Sequence, residues 1–483
     1  MPNPAAYWSG VALEANRTDF TIQPGHHRPP AENGGPTLSS RALALVHLAM
    51  HDAYVSVLGT IPPWLPDLEA PSGVTDPIAA MAAAADAMLR RLYRHPVQVT
   101  AFDKAFAEFL TGHPSAGEAI AWGHKVAARI HADRLADLDH SGGERMNDPR
   151  PYRHRADPLN PDQGLHGLNW GNVRPFVVPC VTLAPPPGWT PDGFTPGKYY
   201  EDEYDQVVTA GALTEHNRNA DETVRGIFWA YDGANKIGTP PRLYTQVALT
   251  ILNRLAQASP EKIETTDYVR LLAMMTTAMA DAGIQAWHWK YHYDFWRPVV
   301  GIREADACLG PAASIPGRVV KARTDWQPLG APRTNRGGRF TPDFPAYPSG
   351  HATFGSAAFQ VIRAYLEDRD LVTRAASEEP DTISFEFVSD EYDGRSVDPD
   401  GTVRPRHRRA FNSLWDATVE NSVSRVFLGV HWLFDGISKA DANGDAEHGV
   451  PAKPGELGPI GGVWLGRQIA NRLFDGGLVR YPG

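Results

Sequence analysis

Three short segments in the second half of the chain carry residue types that together could hold an anion. The first is Lys290-Tyr-His-Tyr-Asp-Phe-Trp-Arg297-Pro298. On one continuous helix its two cations, seven residues apart, would share a face and repel unless they also shared an anion. Asp294 on the same stripe could neutralise them instead, and a lysine–arginine pair at this spacing is often only a solvated face. The second segment is Pro348-Ser349-Gly350-His351, followed by an apolar run that reads as a helix. Ser349 and Gly350 would then sit at a helix N-terminus, where free amides and the positive dipole end cradle anions. Ser349 adds a hydroxyl and His351 a proton carrier. The plainer reading is a capped helix start with an incidental histidine.

The third segment is Ser424-Arg425-Val-Phe-Leu-Gly-Val-His431-Trp-Leu-Phe-Asp435. His431 and Asp435 are four residues apart, the spacing for contact on one helix face. A carboxylate behind one ring nitrogen fixes the tautomer and makes the other nitrogen a better ligand or nucleophile. Such a pair can equally be structural. Arg425 adds a planar donor fork suited to oxyanions. The combined inventory is three cations, oriented donors, one primed imidazole and one spare acid/base. It fits a tetrahedral oxyanion with a single attachment point, not a chelated divalent cation, which needs several clustered carboxylates or histidines.

The elements that must position these residues are helical. Apolar residues recur at helical spacing in Ser39–Leu58, behind a cap read at Ser39/Ser40, and Asp76-Pro77 starts an alanine-rich helix to Tyr93. Further helical patterns cover 116–136, 201–215, 219–231, 241–257, 264–296, 349–367, 408–434 and 461–475. Residues 140–200 and 310–348 read as loops, and Thr382–Val388 is the best strand candidate, in a small hairpin. The expected fold is mainly α, with an N-terminal helical half over 1–190 and a C-terminal half over 191–483 that carries the oxyanion site. His47, His51 and Asp52 are read as packing groups rather than a metal site, and His26-His27 as loop surface.

Composition narrows the function classes. The 483 residues are 42% hydrophobic, enough for a sizeable core, and the formal net charge is −10. With no basic run, that balance speaks against nucleic acid as a partner. The sequence shows no apolar stretch of membrane-spanning length and no leader-like N-terminus, so a soluble protein, cytoplasmic by default, is expected. Cys180 and Cys308 form no metal spacing; two buried thiols are expected in preference to a disulfide.

The three blocks resemble the signature joining type 2 phosphatidic acid phosphatases, bacterial acid phosphatases and vanadium-dependent haloperoxidases: K-x6-RP, PSGH and SR-x5-H-x3-D. They match at Lys290/Arg297/Pro298, at Pro348–His351 and at Ser424/Arg425/His431/Asp435. Four features resemble the haloperoxidase branch. They are the surroundings of the second and third blocks, Trp287 ahead of Lys290, Trp229-Ala-Tyr-Asp232-Gly followed by Ile237-Gly-Thr-Pro-Pro-Arg242, and the 72 residues separating His351 from Ser424.

The resemblance implies two stacked helical bundles with the site in the C-terminal one. It implies vanadate attached to His431, with phosphate able to substitute, and its oxygens held by Lys290, Arg297, Ser349, Gly350 and Arg425. Asp435 would orient His431, His351 would manage protons, and Lys290 would polarise hydrogen peroxide for attack by halide. Asp232 would support the cations. Trp287 and Phe344 would wall an apolar halide pocket, which leaves bromide and chloride both open. A small organic acceptor and a homo-oligomer are compatible with the resemblance. Two competing readings stand beside it. In a phosphomonoesterase His431 would become a phosphohistidine and His351 the leaving-group acid. The other is an oxyanion-binding module without catalysis. An apolar collar of Trp287 and Phe344 favours the haloperoxidase.

Overall fold

The computed structural model describes residues 3–21, 31–113, 116–146, 148, 150–191, 193–194, 198–305, 323–440, 446–447 and 449–482. The first group of helices is α1 (Pro4–Asp19), α2 (Gly35–Leu58), α3 (Pro77–Leu92), α4 (Pro96–Leu110) and α5 (Gly117–Asp133). The second is α6 (Lys198–Ala210), α7 (Ala220–Phe228), α8 (Pro240–Ala258), α9 (Thr265–Tyr293), α10 (Pro298–Arg303), α11 (Gly350–Asp368), α12 (Leu414–Phe427), α13 (Leu433–Gly436) and α14 (Gly461–Gly476). The fold is mainly helical with two bundle-like regions, as expected. Among the described residues no helix is long and apolar enough to cross a membrane.

In the first region α3 lies between α2 and α5. Its residues Ala79, Ala80, Ala82, Ala83, Ala84 and Ala85 are fully buried, and such small side chains let neighbouring helices approach closely. In the second region α11 packs on α14, α9 and α12. The contact with α14 is close because Gly462 and Gly466 face α11. A Cβ there would come within 2.5 Å of the Ser349 carbonyl and 2.3 Å of the Thr353 carbonyl. Helix α9 joins the regions by packing on both α2 and α11. It is buried nearly all round from Tyr268 to Trp287, as a central helix must be.

The structure changes several expected boundaries. Ser39 and Ser40 lie inside α2, where their hydroxyls bond the carbonyls of Gly35 and Thr37. The helix starts earlier, at Gly34–Pro36. Helices α1 and α4 were not anticipated; each starts with proline behind a side-chain cap, Asn3 and His95. Residues 406–411 are a strand rather than the start of a helix. Their alternating burial lets them pair antiparallel with Phe385–Asp393, Phe385 opposite Phe411, which gives the small hairpin foreseen near 382–388. Cys180 is exposed rather than buried. Cys308 and His26-His27 lie outside the described residues. His47 and His51 are buried core groups: His47 bonds the Leu43 carbonyl and Ser9, and His51 bonds Asp52.

Candidate active site

Lys290 occupies the last turn of α9. The helix does not run on to Arg297. It ends where Asp294 turns left-handed (φ 54°), and Arg297 is the N-cap of α10 ahead of Pro298. The shared helical face inferred from the spacing is therefore absent, and the two cations converge because the chain folds back between them. Asp294 does not neutralise them; it pairs with Arg145. Lys290 is fully buried and its Nζ donates to the carbonyls of Pro345 (2.8 Å), Ala346 (3.1 Å) and Pro348 (2.5 Å). Arg297 donates through Nε to the Phe344 carbonyl at 2.9 Å. Its Nη1 donates to the Val430 carbonyl at 2.7 Å and to His431 Nε2 at 2.8 Å.

Ser349 is the N-cap of α11, as expected, with Oγ accepting from the Ala352 amide, and Gly350 opens the first turn. His351 is buried, and its Nε2 donates to the Ala230 carbonyl at 2.6 Å. A carbonyl only accepts, so Nε2 carries the proton and Nδ1 holds the free lone pair. Burial, followed by the Arg425 charge, pushes this imidazole down to about 3, so the ring is neutral at neutral pH. Asp232 Oδ1 lies 3.8 Å from His351 Nε2.

Arg425, near the end of α12, meets Asp232 in a two-pronged pair at 3.0 and 2.9 Å. The chain then turns through Gly429 (φ 68°). A Cβ at that position would sit 2.4 Å from the Gly211 carbonyl, so only glycine fits. His431 follows outside any helix. The expected contact with Asp435 forms, but not along one helix face. His431 Nδ1 donates to Asp435 Oδ2 at 2.8 Å, and the same oxygen accepts the Trp432 amide at 2.9 Å as the cap of the short α13. Burial and the nearby Arg297 hold the His431 ring well below the usual histidine range. It is neutral, with its proton on Nδ1 and its lone pair on Nε2.

Asp232, Gly350, His351, Arg425 and His431 line one end of a half-open cavity of about 250 Å³. Trp287 and Phe344 form its apolar collar, with ring centroids 4.8 Å apart. The collar lies against the cations: Phe344 is 5.0 Å from Lys290 Nζ and 4.9 Å from the Arg297 guanidinium. Sequence reasoning missed the rest of the wall. Phe20, Gly35, Pro36 and His166 come from the N-terminal half, and Phe340, Asp343 and Phe354 add to it. Most of these sit in loops or at a helix end, where no periodicity marks them.

Residues 2–161 match the vanadium chloroperoxidase N-terminal domain, and residues 270–445 match that enzyme's second helical-bundle domain. Vanadium chloroperoxidase of Curvularia inaequalis is 32% identical over 99% of this chain and 90% of its own length. The chain belongs to the vanadium chloroperoxidase family. The haloperoxidase fold is also that of a bacterial vanadium-dependent iodoperoxidase, with a TM-score of 0.67 and 18% identity over 97% of this chain and 94% of that one. A holo-type bacterial vanadium-dependent chloroperoxidase gives a TM-score of 0.61 and 16% identity over 93% and 94%.

Membership of this family implies vanadate, and the cup suits such an anion. Three buried cations, Lys290, Arg297 and Arg425, face two carboxylates, Asp232 and Asp435. Arg297 Nη2 and Arg425 Nε are buried and have no hydrogen-bond partner among the described residues. Uncommitted charged donors are costly in a dry site unless an anion meets them.

Proposed function

We propose that this chain oxidises halide with hydrogen peroxide at a vanadate held by His431, Lys290, Arg297, Arg425, Ser349 and Gly350. The reading rests on one observation: Arg297 and Arg425 each keep a buried N–H with no partner among the described residues, and Arg297 contacts a neutral imidazole whose other nitrogen is tied to a carboxylate. Bound vanadate supplies a Lewis acid that activates peroxide toward halide without itself changing oxidation state.

The protein's part is to hold charge in place before reaction. His431 offers the Nε2 lone pair, and Asp435 keeps the ring in the tautomer that exposes it. Arg297 Nη1 occupies that lone pair in this structure and gives it up when the anion attaches, and Arg425 is held flat by Asp232. Lys290 has all three hydrogens on carbonyls, so in this arrangement it contributes charge. Ala346, its longest contact, is the partner it gives up most readily to donate to an oxyanion. His351, neutral with Nδ1 free, can take up a proton from incoming peroxide and return it when hypohalous acid leaves. The collar of Trp287 and Phe344 strips water from the halide and narrows the cup against a bulky phosphate ester.

The test is a direct one. The protein is loaded with orthovanadate and given peroxide, bromide or chloride and a halogenation-sensitive dye, beside a parallel assay with p-nitrophenyl phosphate. Halogenation should require vanadate, phosphate should inhibit competitively, and His431→Ala should abolish turnover. Hydrolysis of the ester without any halogenation would place the chain with the phosphatases instead.

A further inference from the structure

Beyond the collar, one side chain from the N-terminal half is placed to meet the halide itself. We propose that His166 binds the halide through Nδ1–H and sets halide selectivity. This deepens the haloperoxidase reading and rests on it.

The argument begins with what the collar lacks. The Trp287 indole N–H is spent on the His166 carbonyl at 3.1 Å, and the Tyr291 hydroxyl donates to the same carbonyl at 2.6 Å. Trp287, Phe344 and Phe354 therefore offer only carbon to an anion. A halide entering such a wall gives up water and needs at least one donor in return.

The His166 ring lies on the cavity wall, edge-on to Trp287 at 5.9 Å and 6.1 Å from Phe344. Its Nε2 is 2.9 Å from the Thr37 hydroxyl. Among the described residues that hydroxyl makes no other hydrogen bond, and in the proposed tautomer its O–H donates to Nε2. A neutral ring then carries its proton on Nδ1, which has no partner among the described residues. Burial holds the ring below the usual histidine range, against the opposing pull of Asp343, and so keeps it neutral.

The site is shaped around this ring. Gly35 at the start of α2 has φ 69°, and a Cβ there would lie 2.3 Å from the imidazole. The frame does not depend on the ring, because the His166 amide donates to the Asp343 carbonyl at 2.9 Å and its carbonyl anchors Trp287. Replacing the side chain leaves these main-chain bonds available.

One neutral donor among aromatic walls discriminates by hydration. Iodide loses least on leaving water and needs the donor least; bromide and chloride depend on it progressively more. The experiment compares His166→Phe, His166→Ala and His166→Asn, the last retaining an N–H, with Thr37→Val, which frees Nε2. Steady-state kcat/KM is measured for iodide and bromide on vanadate-loaded protein, together with the bromide-81 NMR line width. His166→Phe and His166→Ala should lower the bromide-to-iodide ratio roughly tenfold, as expected for losing one hydrogen bond to an ion. Asparagine should restore most of that ratio, and Thr37→Val should shift it in the same direction by less. The excess bromide line width should vanish in His166→Phe and persist in His166→Asn. An equal fall for both halides, an unchanged ratio or an unchanged line width overturns the proposal. If the unaltered protein oxidises no halide, the functional reading fails separately, and the line widths still decide the role of His166.

Discussion

Replacing Asp435 separates attachment through the imidazole from plain attraction of an anion to positive charge. Its Oδ2 accepts two buried hydrogen bonds, from His431 Nδ1 at 2.8 Å and the Trp432 amide at 2.9 Å. Asp435→Ala orphans both donors, at about 1–3 kcal/mol each, and so threatens the fold as well as the site. Asp435→Asn is the cleaner probe, since its side-chain oxygen can still accept both bonds while the negative charge is gone. Two consequences then oppose each other. His431 loses the carboxylate that raises the basicity of Nε2, which should weaken vanadate binding by about 10–100-fold, or about 1.4–2.7 kcal/mol. The three cations now face Asp232 alone, so any anion held by charge and hydrogen bonds should bind as tightly as before or tighter. Calorimetric titration with orthovanadate and with phosphate reads both effects on one sample. Vanadate affinity should fall in Asp435→Asn while phosphate affinity holds. If vanadate affinity changes by less than about twofold, or phosphate weakens in step with it, attachment through a carboxylate-primed His431 is wrong.

Two further perturbations follow from the same geometry. His47 is fully buried and its pKa is lowered to about 4, chiefly by burial, against the usual 6.5. The unfolded chain therefore binds more protons than the folded one between pH 6.5 and 4. Stability present above 6.5 is lost as pH falls through that window, by about 3 kcal/mol for this group. Denaturant midpoints measured across the window should show the loss, and His47→Gln should reduce it. Gly429→Ala should lower stability by about 2 kcal/mol or more, because a left-handed residue would also meet the Gly211 carbonyl. It should reduce halide turnover further than the stability loss explains, since this turn aims His431.

The residues that the fold brings together were legible in the sequence because they are residue types in short motifs. Lys290, Arg297, Ser349, Arg425, His431 and Asp435 all lie in short blocks of fixed spacing, and the apolar period located α3, α5, α9, α11 and α14 to within a few residues. The reasons given for some contacts were wrong even where the contacts form. Seven residues from Lys290 to Arg297 suggested one helix face, but Asp294 ends the helix and a reversal joins the cations. Four residues from His431 to Asp435 suggested another, but the pair is a cap.

Sequence spacing constrains only residues within about two turns of one another. It therefore determined the inventory: three cations, one imidazole backed by a carboxylate, and donors at a helix start. It could not reveal how far that charge is desolvated, which carbonyls restrain Lys290, or that His166 and Gly35 from the distant N-terminal half wall the pocket. Those depend on long-range packing of α2, α9 and α11. Burial is a property of the assembled fold, and it makes His431 neutral and leaves two guanidinium donors without partners among the described residues.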